Sequence, residues 1–454
     1  MENLYSLSLS SKMDHDLISR HSLSEEKLID NAAKGAFDLF LPHVENKRVL
    51  FLVGKGNNGS DALEMARLSL SVSKEVFVLL LFDGGNQENM RRRALLPSSL
   101  FVSSIPEDID TVVDGVFGFS FRGTMDERLD SIFKTIDSSP FYKIALDVPS
   151  GFGYKADATV SFMCRKREMY YPDNRRKCGD IFYFNPGFSE EEYYESDTFL
   201  LSDDDYSVPS FSSSDYKNTR GHLLIAGGSK RYPGAPILSS LSAFHAGVGL
   251  VSLCSDKSVL DRVFSSYPSI MGVEKGSIDR VKSNAFLLGP GWDEGDREII
   301  EYAKSSNKGI VIDADAIKLI RKDDDFSSKA VITPHYGEFR TLLRNLEVEE
   351  GDFLEKCRVV SDRLDAVLVV KTSVVWIVYR DKSYVYDGSN PSLGVAGSGD
   401  VLSGIISAFL SSGLSALESA INGVILHQRC GKKLSESLGF YTSEDLIREV
   451  GKKR

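Results

Sequence analysis

The sequence has few cysteines, no excess of positive charge and no long apolar run. Its five cysteines (Cys164, Cys178, Cys254, Cys357 and Cys430) are scattered, odd in number and never spaced Cys-x-x-Cys. That argues against a disulfide frame or a thiolate zinc site, and for reduced thiols in a cytoplasmic protein. Lys and Arg number 54 against 65 Asp and Glu, a net charge of −11. Such a balance speaks against a broad nucleic-acid or anionic-membrane surface. Residues 76–82 are among the most apolar runs, yet far too short to span a bilayer. The N-terminus lacks the basic and apolar regions of a signal peptide. No internal repeat is visible. What remains is ordinary globular composition, 26% charged and 42% hydrophobic, on 454 residues, enough for two or three domains.

The most informative stretch runs from Gly394 to Gly404. After Asp400 the apolar residues Val401, Leu402, Ile405, Ile406, Phe409 and Leu410 recur at helical spacing, and Ser411-Ser412-Gly413 ends them. Gly397, Ser398 and Gly399 therefore fall in the turn that opens a helix, where bare N–H groups and the helix dipole favour an anion. Asp400 among those donors can take a proton from a hydroxyl. As a mere cap it would explain less, because three glycines crowd the same turn.

In the first half, residues 17–40 suggest two helices broken near residues 21–24. The apolar run 49–53 reads as a buried strand entering Gly54-Lys55-Gly56-Asn57-Asn58-Gly59-Ser60-Asp61, then a helix through Ala62, Leu63, Ala66 and Leu70. Strand, glycine-rich turn and helix is the layout of a nucleotide-phosphate site, although neither a Walker loop nor a strict Gly-x-Gly-x-x-Gly is present. Further strands at 76–82, 111–113 and 144–148 would deliver Asp114, Asp147 and Ser150 to the same sheet edge as Asn58. These groups can bind a hard cation or divide acid and base duties. Residues 190–214 are polar and aperiodic, a passage between domains with a short strand at 199–201 and a boundary near Pro209. In the second half, apolar runs at 222–226, 248–253, 285–288, 310–312, 330–332 and 367–370 mostly end in polar, glycine-containing turns. That predicts a second doubly wound α/β domain with its site on the strand ends.

The glycine-rich turn, Asp114 and the turn 147–151 resemble the NAD(P)H-hydrate epimerase domain, with Ser60 and Ala62 standing where the family usually has glycine. Gly-Pro-Gly-Trp-Asp at 289–293, Asp-Ala-Asp-Ala at 313–316, Thr-Pro-His-x-Gly-Glu at 333–338 and Gly-Ser-Gly-Asp at 397–400 resemble the NAD(P)H-hydrate dehydratase of the ribokinase-like fold. The resemblance implies two α/β domains, 1–209 Rossmann-like and 210–454 ribokinase-like. It implies repair of hydrated NADH or NADPH: interconversion of the R and S hydrates, then dehydration of the S form with ADP as phosphoryl donor and Mg²⁺ beside it. Asp147 and Asp400 are the implied catalytic residues. Asn58, Asp114 and Ser150 would hold K⁺. Asn57, Asn58, Gly59, Asp61 and Gly118 would bind the cofactor in the first site. In the second, Ala235, Gly291 and His335 would touch the hydrate. Lys371, Thr372, Ser373, Val374, Val375, Gly397, Ser398 and Gly399 would touch the nucleotide. A homo-oligomer is compatible with all of this. The competing reading is a ribokinase-like small-molecule kinase fused to a non-catalytic Rossmann-like ligand-binding module.

Overall fold

The computed structural model describes residues 1–21, 23–118, 125–208 and 210–453. Pro209, the expected boundary residue, lies outside them, as does Ser22 of the expected helix break. The chain folds as two compact units, Asn3–Thr198 and Phe199–Arg454 together with Met1–Glu2. Among the described residues no helix is long and apolar enough to cross a membrane.

The first unit is built on a seven-stranded sheet. Its order is Phe101–Val102, Glu75–Leu80, Arg48–Val53, Thr111–Gly115, Tyr142–Leu146, Ala158–Phe162 and Asp180–Phe184, every pair parallel. Strands buried on both faces read as continuous apolar runs, and residues 49–53 are wholly buried. One face packs on Ala32, Ala33 and Ala36 of the helix Glu25–Leu39 and on Leu63 and Ala66 of the helix Asn57–Ser69. The other packs on Leu129, Phe133 and Ile136 of the helix Glu127–Ser138. The chain winds outward from Arg48–Val53 in one direction, then returns to Thr111–Gly115 and winds in the other. A crevice opens where that direction reverses, at the carboxyl ends of these two strands. Gly54 sits there, and a Cβ on it would meet Val116 O at 1.9 Å, so only glycine lets the two strand ends close.

The second unit has the order Met271–Val273, Leu250–Cys254, His222–Ala226, Ala285–Leu288, Gly309–Ile312, Ala330–Ile332 and Ala366–Lys371, all parallel. An antiparallel hairpin, Val375–Tyr379 with Lys382–Tyr386, extends it. The sequence reading did not anticipate this hairpin. The helix Ser398–Ser411 crosses the sheet beside Ala235–His245, and Ser239 and Ser242 face Gly404 so closely that no larger residue fits there. Both doubly wound α/β domains expected from sequence are therefore present. The helices that follow the two glycine-rich turns start earlier than the apolar spacing predicted, at Asn57 and at Ser398.

Candidate functional site

In the first unit a cavity of about 660 Å³ opens at the switch point. Asn57, Asn58, Asp61, Gly118 and Asp147 all line it. The helix Asn57–Ser69 begins at Gly56 with no side-chain cap, so its first N–H groups are available to an anion. Asp147, at φ +69°, is held against the wholly buried Lys166, whose Nζ also donates to Phe162 O at 2.5 Å. Burial and then the nearby Asp147 push the Asp61 carboxyl well above its usual range.

Asp114 and Ser150 lie buried and do not line the cavity. Asp114 accepts from Val116 N (3.0 Å), Ser150 N (2.9 Å), Ser150 Oγ (2.7 Å) and Tyr154 OH (2.9 Å). Burial raises its pKa even so. Asn58 Nδ2 donates to Leu146 O at 3.2 Å, while Asn58 Oδ1 is buried without a partner among the described residues. Gly59 packs on Gly54. The residues that replace glycine, Ser60 and Ala62, are both wholly buried. Ser60 Oγ donates to Gly56 O at 3.3 Å, and the Ala62 methyl lies over Gly115. Neither lines the cavity.

In the second unit the strand ends form a row tied by backbone bonds: Gly289 N to Ala226 O, Asp313 N to Leu288 O, Thr333 N to Ile312 O and Lys371 N to Pro334 O. This brings Asp313, His335 and Lys371 to one edge. Lys371 Nζ donates to Asp313 Oδ1 at 3.0 Å. The same ammonium lies against residue 399, where a Cβ would stand 3.4 Å away. Gly397 adopts φ +88° as the N-cap and offers no side chain; Ser398 N donates to Val395 O at 3.2 Å, and the helical N–H groups after it have no side-chain cap. Asp400, one residue on from Gly399, has its pKa pushed up to about 7. Burial is the main cause, Asp313 and Glu338 add to it, and Lys371 opposes them. Glu338 is raised by burial and by Asp313.

Ala235 opens its helix beside Gly291, whose hypothetical Cβ would lie 3.1 Å from that of Ala235. His335 caps the helix Tyr336–Asn345, its Nδ1 accepting from Gly337 N (3.0 Å) and Glu338 N (3.3 Å). The neutral ring then carries its proton on Nε2. Thr372 Oγ1 donates to Val374 O at 2.7 Å, closing a tight turn around Ser373. Val374 and Val375 are buried, which leaves only backbone to face a ligand.

Four residues of these sites carried no assigned role in the sequence reading. Asp313 and Glu338 were visible inside motifs without a stated function. Lys166 sits in a short basic run that looks like surface. His427 lies in the long helix Ala416–Leu438, fully buried, with Nε2 3.0 Å from Ser398 O and 3.1 Å from Ser398 Oγ. Burial lowers its pKa to about 4.

A doubly wound sheet with an added hairpin and a carboxylate at an open helix N-terminus defines the ribokinase-like class. A ribokinase-like superfamily protein from Enterococcus faecalis V583 shares this fold, with a TM-score of 0.50 at 23% identity over 57% of this chain and 96% of that one. Residues 223–452, just over half of the chain, match the family model described as NAD(P)H-hydrate dehydratase. The chain belongs to that family. Residues 25–167 match the model described as YjeF-related protein N-terminus. Bifunctional NAD(P)H-hydrate repair enzymes from Coxiella burnetii (27% identical, 92% of each chain) and Archaeoglobus fulgidus (28% identical, 94% of each chain) are similar along nearly the whole length.

Proposed function

We propose that the chain repairs hydrated nicotinamide cofactors. Residues 1–209 interconvert the R and S hydrates, and residues 210–454 dehydrate the S form to NADH or NADPH with ADP as phosphoryl donor. The observation that carries the reading is Asp400, a half-buried carboxyl at the start of the helix Ser398–Ser411, with Lys371 beside it. A base with its pKa near 7 is matched to abstracting a hydroxyl proton at neutral pH.

Hydroxide leaves poorly, so the hydroxyl is first converted to a phosphate ester. The substrate oxygen attacks the terminal phosphorus, its proton passes to Asp400, and the nucleotide departs one phosphoryl group shorter. The C–O bond then breaks, releasing inorganic phosphate with loss of a ring proton, and the double bond returns. The N–H groups of Gly397 and Gly399 and the Lys371 ammonium face the charge that builds on the transferring group. Among the described residues no group of three His, Cys, Asp or Glu could hold a metal ion. Mg²⁺ would therefore ride on the nucleotide phosphates, with Asp313 and Glu338 as the carboxylates at hand, and would screen their charge.

In the first site, Asp147 carries proton transfer as the hydroxyl-bearing carbon is inverted, and the open helix start Asn57–Asn58 takes the phosphates. The orphaned Asn58 Oδ1 suits a hard cation. K⁺ would sit on it with Asp114 and Ser150 beneath, supplying positive charge near the phosphates. A cytoplasmic setting fits five buried cysteines.

The test is incubation of the pure protein with mixed R and S hydrates, ADP or ATP, and Mg²⁺. Regenerated absorbance of reduced cofactor together with released phosphate supports the reading. A phosphorylated product that accumulates without either would mean a kinase instead.

A further inference from the structure

The helix Leu7–His21 lies before the segment that matches the first family model, which begins at residue 25. Its residues divide by spacing. Ser10, Met13 and Leu17 are buried, and Met13 and Leu17 join Tyr5, Met163 and Phe188 in a small core. Ser11, Asp14 and Ile18, one position further round the helix, line the 660 Å³ cavity. Residues three and four apart share a helix face, so the core stripe holds the neighbouring stripe against the cavity.

Asp14 differs from Asp147, another carboxylate of this wall. Asp147 is engaged by the Lys166 ammonium. Among the described residues, Asp14 takes neither a hydrogen bond nor an ion pair. It is close enough to Lys166, Asp147, Glu25, His15 and Asp61 to feel or exert their charge. A half-buried carboxyl without a partner, facing a cavity, costs stability unless it is neutral or occupied.

We propose that Asp14 is a second catalytic residue of the first site, the proton donor that works with Asp147 as acceptor. This rests on the epimerase reading given above. Inverting the carbinol carbon through its C–O bond needs one group on each side of the event. Asp14 gives its proton to the departing hydroxyl, which leaves as water with the bonding pair. A water adds to the other face of the cationic carbon, and its proton passes to Asp147. Proton transfer from Asp147 to Asp14 through solvent resets the pair. One water leaves and one enters, with no change in oxidation state.

The protonation state of Asp14 agrees with this role. Burial raises the pKa of Asp14 to about 6, the nearby Lys166 opposes this, and Asp147 and Glu25 add to it. An acid of this kind works protonated, so conversion should fall as pH rises through about 6.

The experiment follows R-to-S conversion by the full-length protein, using purified R hydrate and excess S-hydrate dehydration as readout, across pH 5 to 8. Asp14→Asn should lower conversion by about 10²-fold and remove the acid-dependent limb, with KM for the hydrate and the melting temperature near wild type. Asp14→Glu should restore part of the rate and the limb. An Asp14→Asn variant that converts at the wild-type rate, or that keeps the limb, overturns the proposal. So does a loss of rate that appears entirely in KM. Asp147→Asn run in parallel separates the two ideas. If it too leaves conversion unchanged, the cavity is not an epimerase site. If it alone abolishes conversion, only the role of Asp14 falls.

Discussion

Lys371 Nζ stands 3.0 Å from Asp313 Oδ1, and this one ammonium is set against three carboxyls, those of Asp313, Glu338 and Asp400. Lys371→Met removes the one group among the described residues that lowers the Asp400 pKa. Its value should climb beyond about 7, moving the rising limb of the kcat/KM profile for S-hydrate dehydration to higher pH. A limb that stays in place would mean that the lysine does not act on Asp400.

Asp400→Asn should cut dehydration by roughly 10²–10⁴-fold, as for other removed acid–base groups. It should also stabilise the protein. A carboxyl with a pKa of 3.8 unfolded and about 7 folded contributes fully below the first value and loses that contribution as pH rises through the second. The melting temperatures of wild type and variant should coincide at acid pH, with the variant pulling ahead by pH 8.

In the first unit the buried pair Lys166–Asp147 predicts an asymmetry. Lys166→Met removes the buried ammonium that faces the Asp147 carboxylate and should cost about 3–5 kcal/mol in urea unfolding. Lys166→Met combined with Asp147→Leu should recover most of that. Equal losses in the single and double variants would show that the pair's charge is not what is buried at cost.

Coupling of the two activities is read from a time course. Wild type should consume a mixed R and S pool to completion in the presence of ADP and Mg²⁺. Asp147→Asn should consume the S fraction, then slow to the spontaneous rate of R-to-S conversion. Asp400 and the nucleotide approach the oxygen from a fixed direction, and a displacement of about 1 Å already costs around 10²-fold.

His427 tests the setting of the turn 397–399. Its Nε2–H reaches Ser398 O at 3.0 Å, and with its pKa lowered to about 4 by burial the ring stays neutral across the working range. His427→Ala should raise the nucleotide KM more than it lowers kcat, and His427→Gln should restore part of the affinity. A pure kcat loss would place the histidine elsewhere in the mechanism.

The strand ends were legible in the sequence because a buried parallel strand is a short apolar run with a polar turn after it. The helix starts at Asn57 and Ser398 were displaced from the expectation because apolar spacing begins only where a helix meets the core. Its first turn here faces a cavity or the open edge of the strand ends and carries polar residues. Asp147 and Asp400 could be found because turn chemistry surrounds them. Lys166 and His427 could not, since a basic residue after a strand and a histidine within a long helix look like surface and core until the fold carries them to Asp147 and Ser398. The hairpin Val375–Tyr379 with Lys382–Tyr386 was hidden in a run whose alternation is blurred by burial on both faces.

The Ala62 methyl resting over Gly115 has an evolutionary consequence. A glycine at 62 would leave a void there and would weaken the helix by about 1 kcal/mol relative to alanine. The reciprocal exchange is closed, because a Cβ at 115 would also meet Asn58 O at 2.7 Å. The path between the two variants of the motif therefore runs through position 62 alone. A lineage that acquires alanine there gains a sturdier floor beneath the turn 54–59, while the lining of the cavity is left as it was.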